Sequence, residues 1–268
     1  MSVFLRAEWR KLAMANYAVE PSLLVPFLPK GTELDLWNNT CYVSLVGFMF
    51  LNTRLRGIKI PFHTNFEEVN LRFYVKRMDS TGIKRGVVFI KEFVPKHALT
   101  FVANAFYGEH YQTLPMNHVL ALESSQLKMN VGYNWKLKEW NSLAVTADSV
   151  PTDIVPGSEE EFITEHYWGY TKVGSTRTSE YAVEHPRWQV YPVMDYLIDV
   201  NFGQLYGSPF DYLNKQRPIS VFLAEGSEII VRGAKILQDD PAIIAKPKVS
   251  ELSPEYKAQQ QKRGRRSV

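Results

Sequence analysis

At 268 residues, with an apolar share of 45% and an aromatic share of 13%, the chain can bury one large β-rich core or two small ones, and its composition excludes the disordered and disulfide-supported classes. The formal net charge of +3 is local, since Lys257, Lys262, Arg263, Arg265 and Arg266 crowd the C-terminus against Glu255 alone. The body is near neutral, so no nucleic-acid partner follows from charge, and the short basic tail reads as a solvated end because like charges repel and stay hydrated.

At the start of the chain, Arg6, Glu8, Arg10 and Lys11 interrupt the apolar residues, so no signal-peptide core forms, and no stretch reaches transmembrane length. A cytoplasmic location with no membrane partner is the expectation. Residues 20–29, with Pro21, Pro26 and Pro29, allow a short proline-bracketed helix, and Trp37-Asn38-Asn39-Thr40 has turn chemistry. Residues 41–51 are almost wholly apolar, which suits a strand buried on both faces, although periodicity does not separate it from a short helix. This run holds the single cysteine, Cys41, so an intrachain disulfide is impossible and the thiol belongs to the core.

Residues 67–76 alternate, with Val69, Leu71, Phe73 and Val75 on one face and Glu68, Asn70, Arg72 and Tyr74 on the other. With Asp79-Ser80-Thr81-Gly82 as the turn and the β-branched run 86–94 after it, the segment forms an antiparallel hairpin. Pro95 stops the second strand, residues 97–106 make a short helix, and Gly108 closes it. Ser158 followed by Glu161 is a capping box in front of Phe162, Ile163, Tyr167 and Trp168, which predicts a second helix carrying Glu165-His166-Tyr167. Segments 127–135, 143–147, 178–183 and 219–223 read as further strands. With no repeat and no composition shift before Lys246-Pro247-Lys248, the domain is expected to span residues 1–246 and the polar, basic tail residues 247–268.

Glycine-rich phosphate cradles, a Gly-x-Ser-x-Gly elbow and metal-ligand spacings of His or Cys are all absent from the sequence, so no cofactor and no metal are expected. The constellation with chemical potential is Glu68, Asn70 and Arg72, an acid, an amide and a guanidinium about 7 Å apart along one strand face. Arg72 can clamp a carboxylate, Asn70 can orient it, and Glu68 can move a proton if burial raises its pKa. The competing reading is a solvent face crossed by an ordinary ion pair.

Three segments, Phe66-Glu67-Glu68-Val69-Asn70-Leu71-Arg72, Tyr107-Gly108-Glu109-His110-Tyr111 and Glu184-His185-Pro186-Arg187-Trp188, resemble the YqjF-like family of uncharacterised proteins (DUF2071), and the resemblance runs from about Arg6 to Val231. That family is related to acetoacetate decarboxylase. The relationship implies a β-rich α+β fold, with a large antiparallel sheet curled into a cone or barrel around a pocket and a few short peripheral helices. It also implies that Glu68 and Arg72 look inward and that Glu109, His110 and Tyr111 approach the pocket from the helix end. In the decarboxylase a Schiff-base lysine follows the helix three residues beyond a glycine. Here Tyr111 stands at that place, and a phenol cannot form an iminium.

Glu68, His110 and Tyr111 are therefore the candidate catalytic groups, with His110 or Tyr111 donating to a carbonyl oxygen. Asn70, Arg72, Glu109, His185 and Trp188 are the candidate ligand contacts. His185 with Trp188 forms either a pocket rim or a packed core contact. The expected partner is a small molecule, with a homodimer as the expected assembly, and two functions stay open: an enzyme acting on a small oxo or carboxylate compound, and a non-catalytic binder using the same pocket.

Overall fold

The computed structural model describes residues 2–123, 127–174 and 176–237. The expected boundary at residues 246 and 247 and the basic tail lie outside them. The strands in chain order are β1 (Val3–Ala18), β2 (Glu33–Leu34), β3 (Tyr42–Leu55), β4 (Phe66–Asp79), β5 (Gly82–Val94), β6 (Tyr111–Thr113), β7 (Met116–Glu123) and β8 (Lys128–Lys136). They continue with β9 (Trp140–Asp148), β10 (Thr152–Asp153), β11 (Trp168–Val173), β12 (Arg177–Glu184), β13 (Gln189–Tyr191), β14 (Val193–Asp199), β15 (Ser220–Arg232) and β16 (Lys235–Leu237). Among the described residues four short α-helices accompany them, α1 (Pro21–Leu24), α2 (His97–Tyr107), α3 (Glu159–Thr164) and α4 (Phe202–Tyr206), with 3-10 turns at Val25–Phe27 and Ser208–Lys215. None is long and apolar enough to cross a membrane.

The large sheet runs β15-β1-β3-β4-β5-β11-β12, and β12 also pairs with β15, so the path comes back on itself as a nearly closed ring. The ring is mixed rather than wholly antiparallel as expected. The β5–β11 and β5–β6 pairings are parallel: β6 returns to β5 through α2, and β11 only after α2, β6–β10 and α3, so neither is joined to it by a hairpin. The second sheet, β14-β9-β8-β7, packs its Met129, Val131, Tyr133, Leu143 and Val145 into one core with Val43, Leu45, Val69, Leu71 and Phe73 on the outer face of the ring. Gly47 marks the closest approach of the two layers, since a Cβ there would meet Tyr133 Cδ2 at 2.6 Å.

Inside the ring a second core gathers Leu12, Met14, Val46, Phe48, Phe50, Phe66, Tyr74, Val87 and Trp188. Strands β3 and β4 are thus buried on both faces, which explains the unbroken apolar run in β3. In β4 it gives the alternation another meaning, because the polar face looks into the ring and not into water.

The hairpin, the helix closed by Gly108 in the left-handed region (φ 72°) and the Ser158 cap all form as expected. Ser158 Oγ accepts from Glu161 N, but α3 ends at Thr164. Glu165, His166 and Tyr167 therefore lie beyond it and Trp168 opens β11, which corrects their placement on the helix. The Glu165 turn leaves the helical region (φ −89°, ψ 54°), and Tyr167 instead pairs its backbone with Arg85 and Val183.

Candidate functional site

A cavity of about 160 Å³ occupies the interior of the ring. One wall is aromatic. Trp9 stands edge-on to Phe48, Phe50 and Trp188 at 5.4, 5.9 and 6.4 Å between ring centres, and Phe50 stacks on Phe66 at 4.7 Å.

The polar groups come from β4, β5 and the segment after α2. Glu68, Asn70 and Arg72 are 2%, 1% and 7% exposed, so the solvent-face reading of this row is wrong. Glu92 faces Asn70 across the β4–β5 ladder, and the register shifts between Leu71 and Arg72 so that the next inward pair is Arg72 with Phe89. This bulge is what puts both Glu92 and Phe89 on the cavity wall, since residues three apart in a regular strand point to opposite faces.

Glu68 accepts from Asn70 Nδ2 at 3.0 Å and from the Tyr111 hydroxyl at 2.9 Å. Glu109 accepts from Thr171 Oγ1 at 2.6 Å and the Tyr181 hydroxyl at 2.9 Å. Burial pushes Glu68 and Glu109 up to about 7 against these bonds, and Glu92 is raised well above the usual carboxylate range by burial and by the charges of Glu109 and Glu68. Three carboxyl groups in one dry space cannot all ionise cheaply, so at neutral pH they hold protons that can be given or taken. Tyr111 is raised well above the usual phenol range by burial and by Glu68 and Glu92, which keeps it a donor.

Arg72 occupies the other end of the row. Its Nε reaches the Tyr74 hydroxyl and its Nη2 the Ile163 carbonyl, both at 3.4 Å, with Met14 Sδ at 3.9 Å. Among the described residues no carboxylate lies within 4.0 Å of its guanidinium, so the expected Glu68–Arg72 ion pair is not formed.

Sequence reasoning missed a second polar unit beside it. His166 lines the cavity, with Nε2 on Asp35 Oδ2 at 3.2 Å, while Arg85 Nε holds the same oxygen at 2.7 Å. Burial pushes His166 down to about 4, so the ring is neutral; burial pushes Asp35 up, but its bonds to His166 and Arg85 outweigh this and keep it lowered and ionised. A neutral histidine bonded to a carboxylate through Nε2 carries its proton there. Its Nδ1 is then an acceptor with no partner among the described residues. The two residues are 131 positions apart, and no local pattern announces the pair.

The other expected site residues divide. Glu109 and Tyr111 line the cavity, but His110 between them is exposed and does not, because successive residues of extended chain point to opposite sides. His110 is therefore corrected out of the catalytic set. His185 stacks on Trp188 at 4.3 Å and both line the cavity, while Trp188 donates from Nε1 to Ser227 Oγ at 2.9 Å, so the pair is packed core and pocket wall at once. Among the described residues no lysine lines the cavity.

Comparison with known proteins bears on the fold. The family model for DUF2071, an uncharacterized conserved protein family, matches residues 6–228. The uncharacterized protein YqjF of Bacillus subtilis (strain 168) is 35% identical over 80 residues, which make up 30% of this chain and about a third (33%) of that curated relative. Among solved structures, the acetoacetate decarboxylase of Legionella pneumophila superposes with a TM-score of 0.59 at 14% identity, covering 89% of this chain and 88% of that one. The enduracididine biosynthesis enzyme MppR, in complex with the condensation product of pyruvate and imidazole 4-carboxaldehyde, gives 0.62 at 13% identity over 90% and 92% of the two chains. An acetoacetate decarboxylase-like enzyme from Sphingomonas wittichii RW1 gives 0.61 at 9% identity over 89% and 94%. At these identities the likeness is one of fold, and that fold is shared with enzymes of small molecules.

Proposed function

We propose a function for this chain, which belongs to the DUF2071 family, as a protein that binds a small oxo or carboxylate compound in the ring cavity and acts on it without a Schiff base. The observation that carries this reading is Arg72, a buried guanidinium on the cavity wall with no carboxylate partner among the described residues. Burying such a charge is costly unless something pairs with it, and a carboxylate is the partner a guanidinium fork fits best. One structural relative was solved in complex with pyruvate, an oxo-acid, which agrees with that choice.

In this reading Arg72 anchors the acid and Glu68, whose proton is loosely held near neutral pH, gives or takes a proton beside it; a protonated Glu68 donates to the Tyr111 oxygen in place of accepting from it, which turns the phenol proton toward a carbonyl oxygen. Among the described residues no lysine lines the wall, so this reading uses no iminium electron sink and rests on proton transfer next to a polarised carbonyl. The missing amine equally favours a second reading, a binder that holds the same ligand unchanged.

A thermal-shift screen against oxo-acids, hydroxy-acids and aromatic carboxylates, repeated with Arg72→Ala, tests the site. A true ligand at 100 times its Kd stabilises by about 2.7 kcal/mol, and the gain should vanish in the variant. Hits indifferent to Arg72→Ala would remove the anchor. For each hit, chemical change on incubation that stops in Glu68→Gln marks an enzyme; an unchanged ligand marks the binder.

A further inference from the structure

Besides Trp9 Nε1, Thr53 Oγ1 and His166 Nδ1, three acceptors from β4, β5 and the segment after α2 stand on the cavity wall without a partner among the described residues. These are the buried oxygens Asn70 Oδ1, Glu92 Oε2 and Glu109 Oε2. They line the same cavity as the Arg72 guanidinium. Asn70 and Glu92 face each other across the ladder, and Arg72 lies two residues beyond Asn70 on the same face, about 7 Å along the strand. Buried polar atoms in folded proteins are nearly always paired. Orphaned acceptors at one place and, about 7 Å along the strand, a guanidinium with no carboxylate partner among the described residues outline a ligand with complementary ends.

Charge narrows the class. Three carboxyl groups, Glu68, Glu92 and Glu109, share the wall with one guanidinium. A bare carboxylate on Arg72 brings more negative charge to these acids, whereas a ligand that also carries an ammonium brings none in net. An ammonium offers three N–H donors, and the orphaned oxygens of Asn70, Glu92 and Glu109 can accept them.

We propose that the cavity takes an amino-carboxylate, its carboxylate on Arg72 and its ammonium shared by Asn70 Oδ1 and the free oxygens of Glu92 and Glu109. This rests on the carboxylate-binding reading above. Without an amine, a proton on Glu92 can serve the facing Asn70 carbonyl, and the ammonium takes over that role.

Isothermal titration of the full chain with glycine, 4-aminobutanoate, 5-aminopentanoate, 6-aminohexanoate and 8-aminooctanoate decides the matter. Each is compared with the acid lacking the amine: acetate, butanoate, pentanoate, hexanoate and octanoate. A middle member of the amino series should bind best, about ten-fold or more tighter than its amine-free partner. Glu92→Gln and Glu109→Gln should each remove most of that advantage and leave the plain acid unaffected, and Arg72→Met should weaken both. Should one glutamine variant fail to fold, the other and the wild-type series still decide. Equal binding of amino and plain acids, or an advantage untouched by both glutamine variants, overturns the amino-carboxylate and leaves the carboxylate site standing. Plain and amino acids that both fail to bind, or that bind regardless of Arg72→Met, remove the carboxylate reading itself.

Discussion

Replacing Arg72 by methionine should cost the protein its ligand and no stability. Arg72 is 7% exposed; its three hydrogen-bonding contacts, at 3.4, 3.4 and 3.9 Å, lie at the long end of hydrogen bonding, where each returns little of the cost of leaving water, and its approach to the Tyr74 ring, 5.6 Å from the centroid, is near the outer limit of cation–π attraction. Methionine keeps a flexible stem of similar reach beside Met14, Tyr74 and Ile163, removes the charge, and leaves no carboxylate stranded because none was paired. Exchanges of buried charge for apolar volume are neutral or stabilising by up to about 4 kcal/mol. With no ion pair broken, we expect Arg72→Met to be between unchanged and about 2 kcal/mol more stable, each kcal/mol raising the melting midpoint by roughly 2–4 °C. Urea unfolding and thermal melts, with and without pentanoate, supply both readings. A loss of more than about 2 kcal/mol, as when one partner of a buried ion pair is removed, would refute the reasoning and make Arg72 a structural ion.

Three further expectations follow from the same walls. Glu68 and Glu109 have folded pKa values near 7 against an ordinary value of 4.5, so the folded state keeps protons that the unfolded chain releases; their contribution to stability is full below about pH 4.5, falls as pH rises through about 7 and is flat above, and with Glu92 raised as well it outweighs the opposite contribution of the single His166, lowered to about 4. Urea midpoints should be higher at pH 5 than at pH 8, with a shallower slope in Glu92→Gln, and a slope of the opposite sign would contradict the buried acid cluster. Tyr111→Phe removes the 2.9 Å bond to Glu68, which should raise the Glu68 pKa further and cost about 1 kcal/mol; an infrared titration of the protonated carboxyl band that does not move would deny that bond. In Gly169→Ala the new Cβ would stand 2.1 Å from Tyr181 Cζ and 2.5 Å from its hydroxyl, so Tyr181 must withdraw from Glu109 at a cost of about 1–3 kcal/mol, and an unchanged melting point would show the wall to be softer than this.

Several elements were missed for identifiable reasons. Strand β1 carries Arg6, Glu8 and Arg10 among its apolar residues, and the bulge between Arg10 and Ala13, with Lys11 at φ 54°, switches which positions face inward. No single period therefore runs through it. Strands β7 and β14 are the edges of the second sheet and exposed along most of their length, so they lack the alternation that marks a half-buried strand. Glu92 sat in a strand correctly read, but its role needs the bulge beside it and Asn70 opposite.

The sequence by itself determined the local facts: a buried run at β3, a hairpin of β4 and β5, a helix stopped by Gly108, and the sharing of one strand face by Glu68, Asn70 and Arg72. These follow from periods of two and from turn and cap chemistry, which act over a few residues. Periodicity says which side chains share a face and nothing about what that face meets. Only the closing of the ring turned the face inward, raised the carboxyl groups, left Arg72 without a counter-ion, and brought Asp35 to His166 across 131 residues. Those are effects of desolvation and proximity, and both depend on where distant strands pair.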